Sequence, residues 1–251
     1  MKDRILRIKQ HVHEQGEVKL SELEKIFPDV SAMTLRRDLK KLEDVGEVVR
    51  IKGGAKGISH LSHIKEEFYS KRIMENRAEK YLAAKKAFEY IQEDRSIYLD
   101  SGTTIMYLAQ MLENQKLFIT TSAPNIALEC AKNSNATINL IGGTLSRENL
   151  SLSGINAVSF LDNINIDIAF LASSGFSFKN GFTAGNYEEC VIKKFVVSKA
   201  NKTIVVMDST KFGKNMPFTF AHLSDIELLI SDENVPKDLK RRINNDKLKL
   251  V

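Results

Sequence analysis

SAMTLRRDLKKLE, residues 31–43, decides the reading of this chain. At helical spacing Leu35, Leu39 and Leu42 fall on one side, the i, i+4, i+7 pattern of a core-facing stripe. Ala32, Met33, Arg36, Arg37 and Lys40 fall away from that stripe. Ser31 is suited to the N-cap, because its hydroxyl can accept from an otherwise unpaired N–H of the first turn. The stretch therefore reads as a short capped helix with an apolar back and a front of cations and small side chains. Such a front suits a DNA major groove, where Arg and Lys meet base edges and phosphates. A solvated basic face on an ordinary amphipathic helix is the competing reading, and the flanking sequence decides between them.

Upstream, SELEKIF reads as a second short helix, with Ser21 and Glu24 matching the S-x-x-E capping box. Phe27-Pro28-Asp29-Val30 then breaks that helix and turns the chain into Ser31. A helix, a tight turn and a cationic second helix form the helix-turn-helix pattern. Farther upstream, residues 2–14 put Ile5, Ile8 and Val12 on one helix face that ends near Gly16, and Val18 and Leu20 fit a short strand. Downstream, Gly46 closes the cationic helix. VVRIKGGAK then reads as a β-hairpin wing that carries Arg50, Lys52 and Lys56 toward a phosphate backbone.

These residues resemble the DNA-binding domain of the DeoR family of bacterial transcription regulators. The TLRRDLKKLE block, the Gly46 turn and the Arg50-x-x-Gly-Gly-Ala wing carry the resemblance. Lys52 stands where a histidine is expected before the glycine pair, which keeps or adds positive charge. The resemblance implies a winged helix-turn-helix over residues 1–57 that reads double-stranded operator DNA. Ser31, Met33, Thr34, Arg36, Arg37 and Lys40 would lie on or near the groove face, with Arg50 and Lys52 in the wing.

Composition agrees. Of 251 residues 43% are hydrophobic and 27% charged, ordinary material for a packed core. No apolar run approaches the roughly 18–20 residues of a membrane span, and the charged start MKDRILRIKQ lacks the apolar stretch of a secretory signal. Cys130 and Cys190 form no metal-type or redox-type pair, so a cytoplasmic protein is expected. The net charge is +5, and residues 1–57 hold 13 Lys/Arg against 10 Asp/Glu, a several-fold higher excess per residue than the remainder. That is a mild electrostatic footprint of nucleic-acid binding.

Residues 58–75 show no clear period and are expected to link two domains. His60 and His63 are spaced H-x-x-H, but nothing completes a metal site around them, and solvated linker histidines are expected. From Asn76, which with Glu79 opens a helix, short apolar runs alternate with helical segments. The runs are IYL, LFI, TINLI, IAFLA, TIVVM and ELLI. Continuous apolar strands separated by helices predict a mostly parallel α/β sheet covered on both faces over residues 76–251.

Five of these runs end in small, hydroxylated turns: Asp100-Ser-Gly-Thr-Thr104, Thr120-Thr-Ser122, Gly142-Gly-Thr144, Ser173-Ser-Gly175 and Asp208-Ser-Thr-Lys211. In an open α/β sheet such turns gather on one edge, where ligands bind. Their hydroxyls and free N–H groups suit a phosphate, with Lys211 as its charge partner. Neither a P-loop nor a strand-linked G-x-G-x-x-G occurs, so no nucleotide or dinucleotide cofactor is expected.

DSGTT, IGGTLS, NGFTAGNYEECVIKK and MDSTKFG resemble the sensor domain of the same family, in the same order. That domain is similar in fold to ribose-5-phosphate isomerase. The resemblance implies a phosphorylated-sugar effector site lined by Asp100, Ser101, Gly102, Thr103, Thr104, Thr121, Gly142, Gly143, Glu189 and Lys211. Thr121 stands where family members often carry Asn, and Ser173-Ser174 where the isomerases carry acidic residues. Isomerisation needs a base and a group that stabilises the enediolate. Glu189 and Lys211 could fill those roles only nominally, because Glu189 lies in the helix-like run YEECVIKK, where an exposed helix carboxylate is the common explanation. The expectation is a regulator, most simply a sugar-operon repressor acting as a homo-oligomer of two or more copies, without cofactor, metal or catalytic residue. A phosphosugar isomerase with an accessory DNA-binding domain is the alternative.

Overall fold

The computed structural model describes residues 2–15, 17–44, 48–51, 53–57, 67–133, 135–245 and 249–251. The chain divides into two compact units, Met1–Lys65 and Glu66–Val251.

In the first unit, α1 (Lys2–Gln15), α2 (Leu20–Ile26) and α3 (Ala32–Asp44) surround a small antiparallel sheet ordered β1-β3-β2, from Glu17–Lys19, Gly54–Gly57 and Val48–Ile51. Ile8, Val12, Leu23, Leu35, Leu39 and Leu42 are buried at 3% exposure or less, so the three helical stripes meet in one core. Burying each Leu or Ile contributes about 1.5–3 kcal/mol. Gly54 is required by a close approach, since a Cβ there would stand 2.0 Å from the Val18 carbonyl oxygen. Two local expectations shift. Leu20 starts α2 instead of extending β1, although its N–H still reaches the Gly53 carbonyl at 2.8 Å. The Ser21–Glu24 box does not form, because with the helix starting one residue earlier Glu22 is placed to accept from the Lys19 N–H at 2.9 Å. Gly46, Lys52, His60 and His63 lie outside the described residues.

The second unit opens with one helical turn, α4 (Tyr69–Arg72), and continues through α5 (Arg77–Phe88) into a seven-stranded sheet. Its strands are β4 (Arg95–Leu99), β5 (Leu117–Thr121), β6 (Thr137–Leu140), β9 (Ile168–Leu171), β12 (Lys202–Val206), β14 (Leu228–Ile230) and β15 (Lys249–Leu250). The spatial order is β15-β14-β12-β9-β4-β5-β6, and every pairing is parallel. On one face α5, α6 (Thr103–Ala109) and α7 (Pro124–Cys130) bury Ala83, Ala84, Ile105, Leu108 and Ile126 against Ile97, Leu99 and Ile119. On the other, α8 (Ile155–Asp162) and α9 (Tyr187–Lys199) bury Ala157, Leu161, Ile192 and Val196 against Tyr98, Ala169 and Val205. IAFL is buried at all four positions, the reason it reads as an unbroken apolar run.

Two small antiparallel pieces were not legible in the sequence. A hairpin joins β7 (Thr144–Ser146) to β8 (Ser151–Ser153), and a three-stranded sheet combines β10 (Gly175–Ser177), β11 (Gly181–Ala184) and β13 (Phe218–Ala221). Their strands are three or four residues long, too short for an alternation to stand out. Phe176, Phe182 and Phe220 pack the three-stranded sheet onto the main sheet, with the Phe182 ring centroid 4.7 Å from that of Phe176 and 6.2 Å from that of Phe220.

Candidate functional site

On α3 the expected division of faces holds. Leu35, Asp38 and Leu39 are buried, while Ser31, Met33, Arg36, Arg37 and Lys40 are exposed and Thr34 is half-buried. Ser31 caps the helix: its hydroxyl accepts from the Thr34 N–H at 3.3 Å and its carbonyl from the Leu35 N–H at 3.1 Å. Asp38 is buried by an ion pair with Arg4 at 2.7 Å, which ties α3 to α1. Arg50 of the wing donates through Nε and its backbone N–H to the Glu43 carboxylate, at 2.7 and 3.1 Å. That fork fixes the wing to the recognition helix, and it lowers the Glu43 carboxyl below its ordinary value. A cleft of about 330 Å³ runs between them, lined among others by Arg36, Arg50, Gly53 and Gly54.

In the second unit, β5 and β6 are added on one side of β4 and the later strands on the other, so the winding reverses between β4 and β9. Ligands of open α/β sheets bind in the crevice at such a reversal, beyond the strand carboxyl ends. All five hydroxylated turns follow β4, β5, β6, β9 and β12, which are neighbours in the sheet. Asp100, Ser101, Thr103, Thr104 and Thr121 are nearly sequestered, whereas Gly142 and Gly143 are exposed and Lys211 is half-buried. Gly102 lets the β4 and β9 turns touch, since a Cβ there would stand 2.1 Å from the Ala172 Cβ. Gly143 is left-handed at φ +140, and a Cβ there would meet the Ser153 carbonyl oxygen at 2.2 Å. Thr121 Oγ1 accepts from the Ala123 N–H at 3.1 Å, and Ser173 Oγ donates to the Gly175 carbonyl at 2.7 Å, so both hydroxyls shape their own turns.

Behind the crevice sits a buried charge cluster that centres on a residue missed in the sequence. Lys193 of α9 is 2% exposed and donates to Asp100 Oδ2 and, at 3.0 Å, to the Ala172 carbonyl. It also pairs with Glu189 Oε1 at 3.1 Å, and Asn149 Nδ2 donates to Glu189 Oε2 at 2.7 Å. Asp100 Oδ2 accepts in addition from the Ala172 N–H at 2.9 Å. Glu189 is therefore no exposed helix carboxylate; it is 8% exposed and fully engaged. Burial pushes the Asp100 carboxyl up, and Glu189 adds to the rise, because two carboxylates share one ammonium. Burial works against the Lys193 charge as well, but the two carboxylates outweigh it and raise its pKa. The ammonium thus stays charged and binds α9 to the ends of β4 and β9. The sequence signal was present: Lys193 stands four residues after Glu189 and three before the buried Val196, on the inward stripe of α9.

Residues 68–75 were expected to be linker, with Asn76 opening the next helix. Residues 68–76 instead pack across the strand ends as a strap. At one end the Tyr69 N–H donates to the Glu148 carbonyl of the β7–β8 turn at 2.7 Å. At the other, Asn76 Nδ2 donates to Thr210 Oγ1 after β12 at 3.1 Å, so Asn76 does not cap α5 through its side chain. In between, Tyr107 of α6 donates to the Ile73 carbonyl at 3.3 Å, and Lys80, 1% exposed, donates to the carbonyls of Arg72 and, at 2.8 Å, Glu75. The strap was illegible because these partners lie on α5, α6 and turns far along the chain.

The strap brings charge to the site. Burial, Lys211 and Arg72 bring the Lys80 ammonium down to about 8, although Asp208 and Glu75 oppose them. Burial raises the Glu67 carboxyl, but Lys71 and Lys211 outweigh it and leave it lowered. Arg72, Lys80 and Lys211 therefore form one cationic neighbourhood beside the turn after β12. Asp208 is wholly buried; its Oδ1 accepts from the Thr210 N–H at 3.1 Å, while Oδ2 has no hydrogen-bond partner. Among the described residues no cluster of His, Cys, Asp or Glu could hold a metal ion, and no helix is long and apolar enough to cross a membrane.

Residues 4–60 match the DeoR-like helix-turn-helix domain and residues 75–233 the DeoR C terminal sensor domain. The chain belongs to the DeoR family. It is a DNA-binding transcription regulator with a sensor domain, as its relatives are regulators and not enzymes. It is 34% identical to an uncharacterized HTH-type transcriptional regulator of Haemophilus influenzae, over 92% of this chain and 90% of the relative. It is 32% identical to the HTH-type transcriptional regulator GlpR of Haloferax volcanii, over 86% and 84%. It is 30% identical to the HTH-type transcriptional repressor GlcR of Bacillus subtilis, over 81% and 78%. Part of this DeoR-family chain is similar to a solved structure of ribose 5-phosphate isomerase A from Methanocaldococcus jannaschii. That match has 19% identity and a TM-score of 0.41, and it covers 55% of this chain and 56% of the other.

Proposed function

We propose that the chain represses a sugar-metabolism operon and is released from operator DNA by a phosphorylated sugar. The observation that carries this reading is the gathering of five hydroxylated turns and the cations Lys211, Lys80 and Arg72 at one edge of the sheet. Hydroxyls and backbone N–H groups suit a sugar, and clustered cations suit its phosphate. The effector residues would be Asp100, Ser101, Gly102, Thr103, Thr104, Thr121, Gly142, Gly143, Glu189 and Lys211. Asp100 and Glu189 would act through the Lys193 cluster that holds the crevice open. The DNA face would comprise Ser31, Met33, Thr34, Arg36, Arg37, Lys40, Arg50 and Lys52. Residues 76–251 would also assemble a cytoplasmic homo-oligomer, in which two recognition helices about 34–36 Å apart meet successive major grooves.

Fluorescence anisotropy on DNA from upstream of the protein's own operon tests both halves, with a panel of sugar phosphates added at fixed salt. Arg37→Ala should weaken binding and reduce the salt slope by about one unit; unchanged affinity would remove α3 from the DNA face. Lys211→Ala should bind DNA normally and fail to be released by the sugar phosphate that releases the parent. Release that survives this change would show that Lys211 is not the phosphate partner.

A further inference from the structure

Glu43 stands where a carboxylate is unfavourable. It follows Arg36 and Lys40 on α3 at i, i+4, i+7 spacing, so the three share one stripe of the helix, the side that carries the DNA-face cations. A carboxylate there repels phosphate, and an exposed ion pair adds little to the stability of a fold. What Glu43 does instead is hold one residue of the wing with both of its oxygens. Oε2 accepts from Arg50 Nε at 2.7 Å and Oε1 from the Arg50 backbone N–H at 3.1 Å. Side chain and main chain of Arg50 are thereby fixed together, and the donors of its two terminal nitrogens take no part in the fork. The wing is pinned at its root as well. The Gly53 carbonyl accepts from the Leu20 N–H at 2.8 Å, and Gly54 pairs with Lys19 of β1.

Between helix and wing lies the cleft of about 330 Å³, with Arg36 contributed by α3 and Arg50 by the wing. Leu20, Leu39 and Ile51 supply its apolar lining. Two guanidiniums beside apolar side chains match one repeating group of a DNA strand, a phosphodiester with the carbon face of its deoxyribose. A base edge is uncharged and offers a pattern of donors and acceptors that such a lining does not answer. We propose that the cleft seats one deoxyribose phosphate of the operator backbone, and that Glu43 is the positioning residue that aims Arg50 into it. This rests on the assignment of α3 and the wing to the DNA face. Glu43 orders the guanidinium before DNA arrives, so the contact loses less side-chain entropy on binding. The carboxylate thus raises DNA affinity, although its own charge opposes it.

The test is anisotropy of the full chain on the same upstream DNA over a range of salt concentrations, with Arg50→Ala, Glu43→Gln and the double variant. Arg50→Ala should bind roughly ten-fold more weakly and lower the salt slope by about one unit. Glu43→Gln removes a negative charge from the DNA-facing side, so electrostatics alone would tighten binding. The seat requires the opposite sign: weaker binding by Glu43→Gln, and no further loss when it is added to Arg50→Ala. Glu24→Gln, which removes the same charge from α2 outside the fork, should leave the affinity unchanged or raise it. Tighter binding by Glu43→Gln would overturn the positioning role. So would the same loss from Glu43→Gln with and without Arg50, since the carboxylate would then serve the fold and not the guanidinium. Weaker binding by Arg50→Ala with an unaltered salt slope would overturn the seat, because no phosphate contact would have been lost. Failure of the DNA-face reading itself is recognised separately, in an Arg37→Ala variant that binds as the parent does.

Discussion

Replacing Lys193 with methionine removes the one cation that two buried carboxylates share, with little change in volume. Asp100 and Glu189 are 1% and 8% exposed, and Asn149 and the Ala172 N–H supply their other partners. Removing one member of a buried ion pair costs about 3–5 kcal/mol, because it leaves charge unpaired at low dielectric. For a unit of this size each kcal/mol moves the midpoint by about 2–4 °C, so the sensor unit should melt roughly 6–20 °C lower. The assay reads that unit alone: all six tyrosines lie between positions 69 and 187 and there is no tryptophan, so tyrosine emission is blind to the DNA-binding unit. The deficit should shrink on acidification from neutrality toward pH 5. Without Lys193 one carboxyl takes up a proton in the folded state well above its unfolded pKa, so the variant gains relative stability as pH falls. Adding Asp100→Asn should recover part of the loss at pH 7. A midpoint within about 3 °C of the parent, unaffected by pH, would refute the account of this cluster as a charge-balanced clamp.

Two further outcomes follow from the geometry. Gly102→Ala places a Cβ 2.1 Å from that of Ala172 while its backbone (φ −68, ψ 149) suits any residue, so the cost is steric, about 1–3 kcal/mol in urea unfolding. Adding Ala172→Gly should recover most of it, and no recovery would place the strain elsewhere. Lys80 titrates at about 8 in the fold against an ordinary 10.5, so between these values the unfolded chain binds the extra proton and stability rises with pH. The stability of the parent relative to Lys80→Met should therefore increase from pH 7.5 to 9.5, measured by urea unfolding of each. A constant difference would show that the ammonium is not desolvated beneath the strap.

Much of the fold was legible locally. The Leu35, Leu39, Leu42 stripe, the Ser31 cap and the Gly-Gly wing are each set by spacing within one turn or one hairpin, and the helix-turn-helix is present apart from the earlier start of α2 and its different cap. The six apolar runs became six strands of the parallel sheet; the inner β9 is buried at every position because both its faces are covered, while the edge strand β6 keeps exposed Thr137 and Leu140. The hydroxylated turns were read one at a time, as ends of strands. Glu189 could not be distinguished from a solvated carboxylate without knowing which face of α9 meets Asn149.

The sequence by itself determined the helix-turn-helix, the six apolar strands of the parallel sheet and which turns carry hydroxyls and glycines, because those properties depend on neighbours within a few residues. Only the tertiary structure decided the strand order, and with it the reversal between β4 and β9 that brings Asp100 to Ala172. It alone drew Lys193 into the charge cluster and laid the Tyr69 strap over the strand ends. Those contacts include pairs 72 and 134 positions apart, Asp100 with Ala172 and Asn76 with Thr210. Pairings at such separation are fixed by which buried faces fit together, and no local pattern in the chain encodes them.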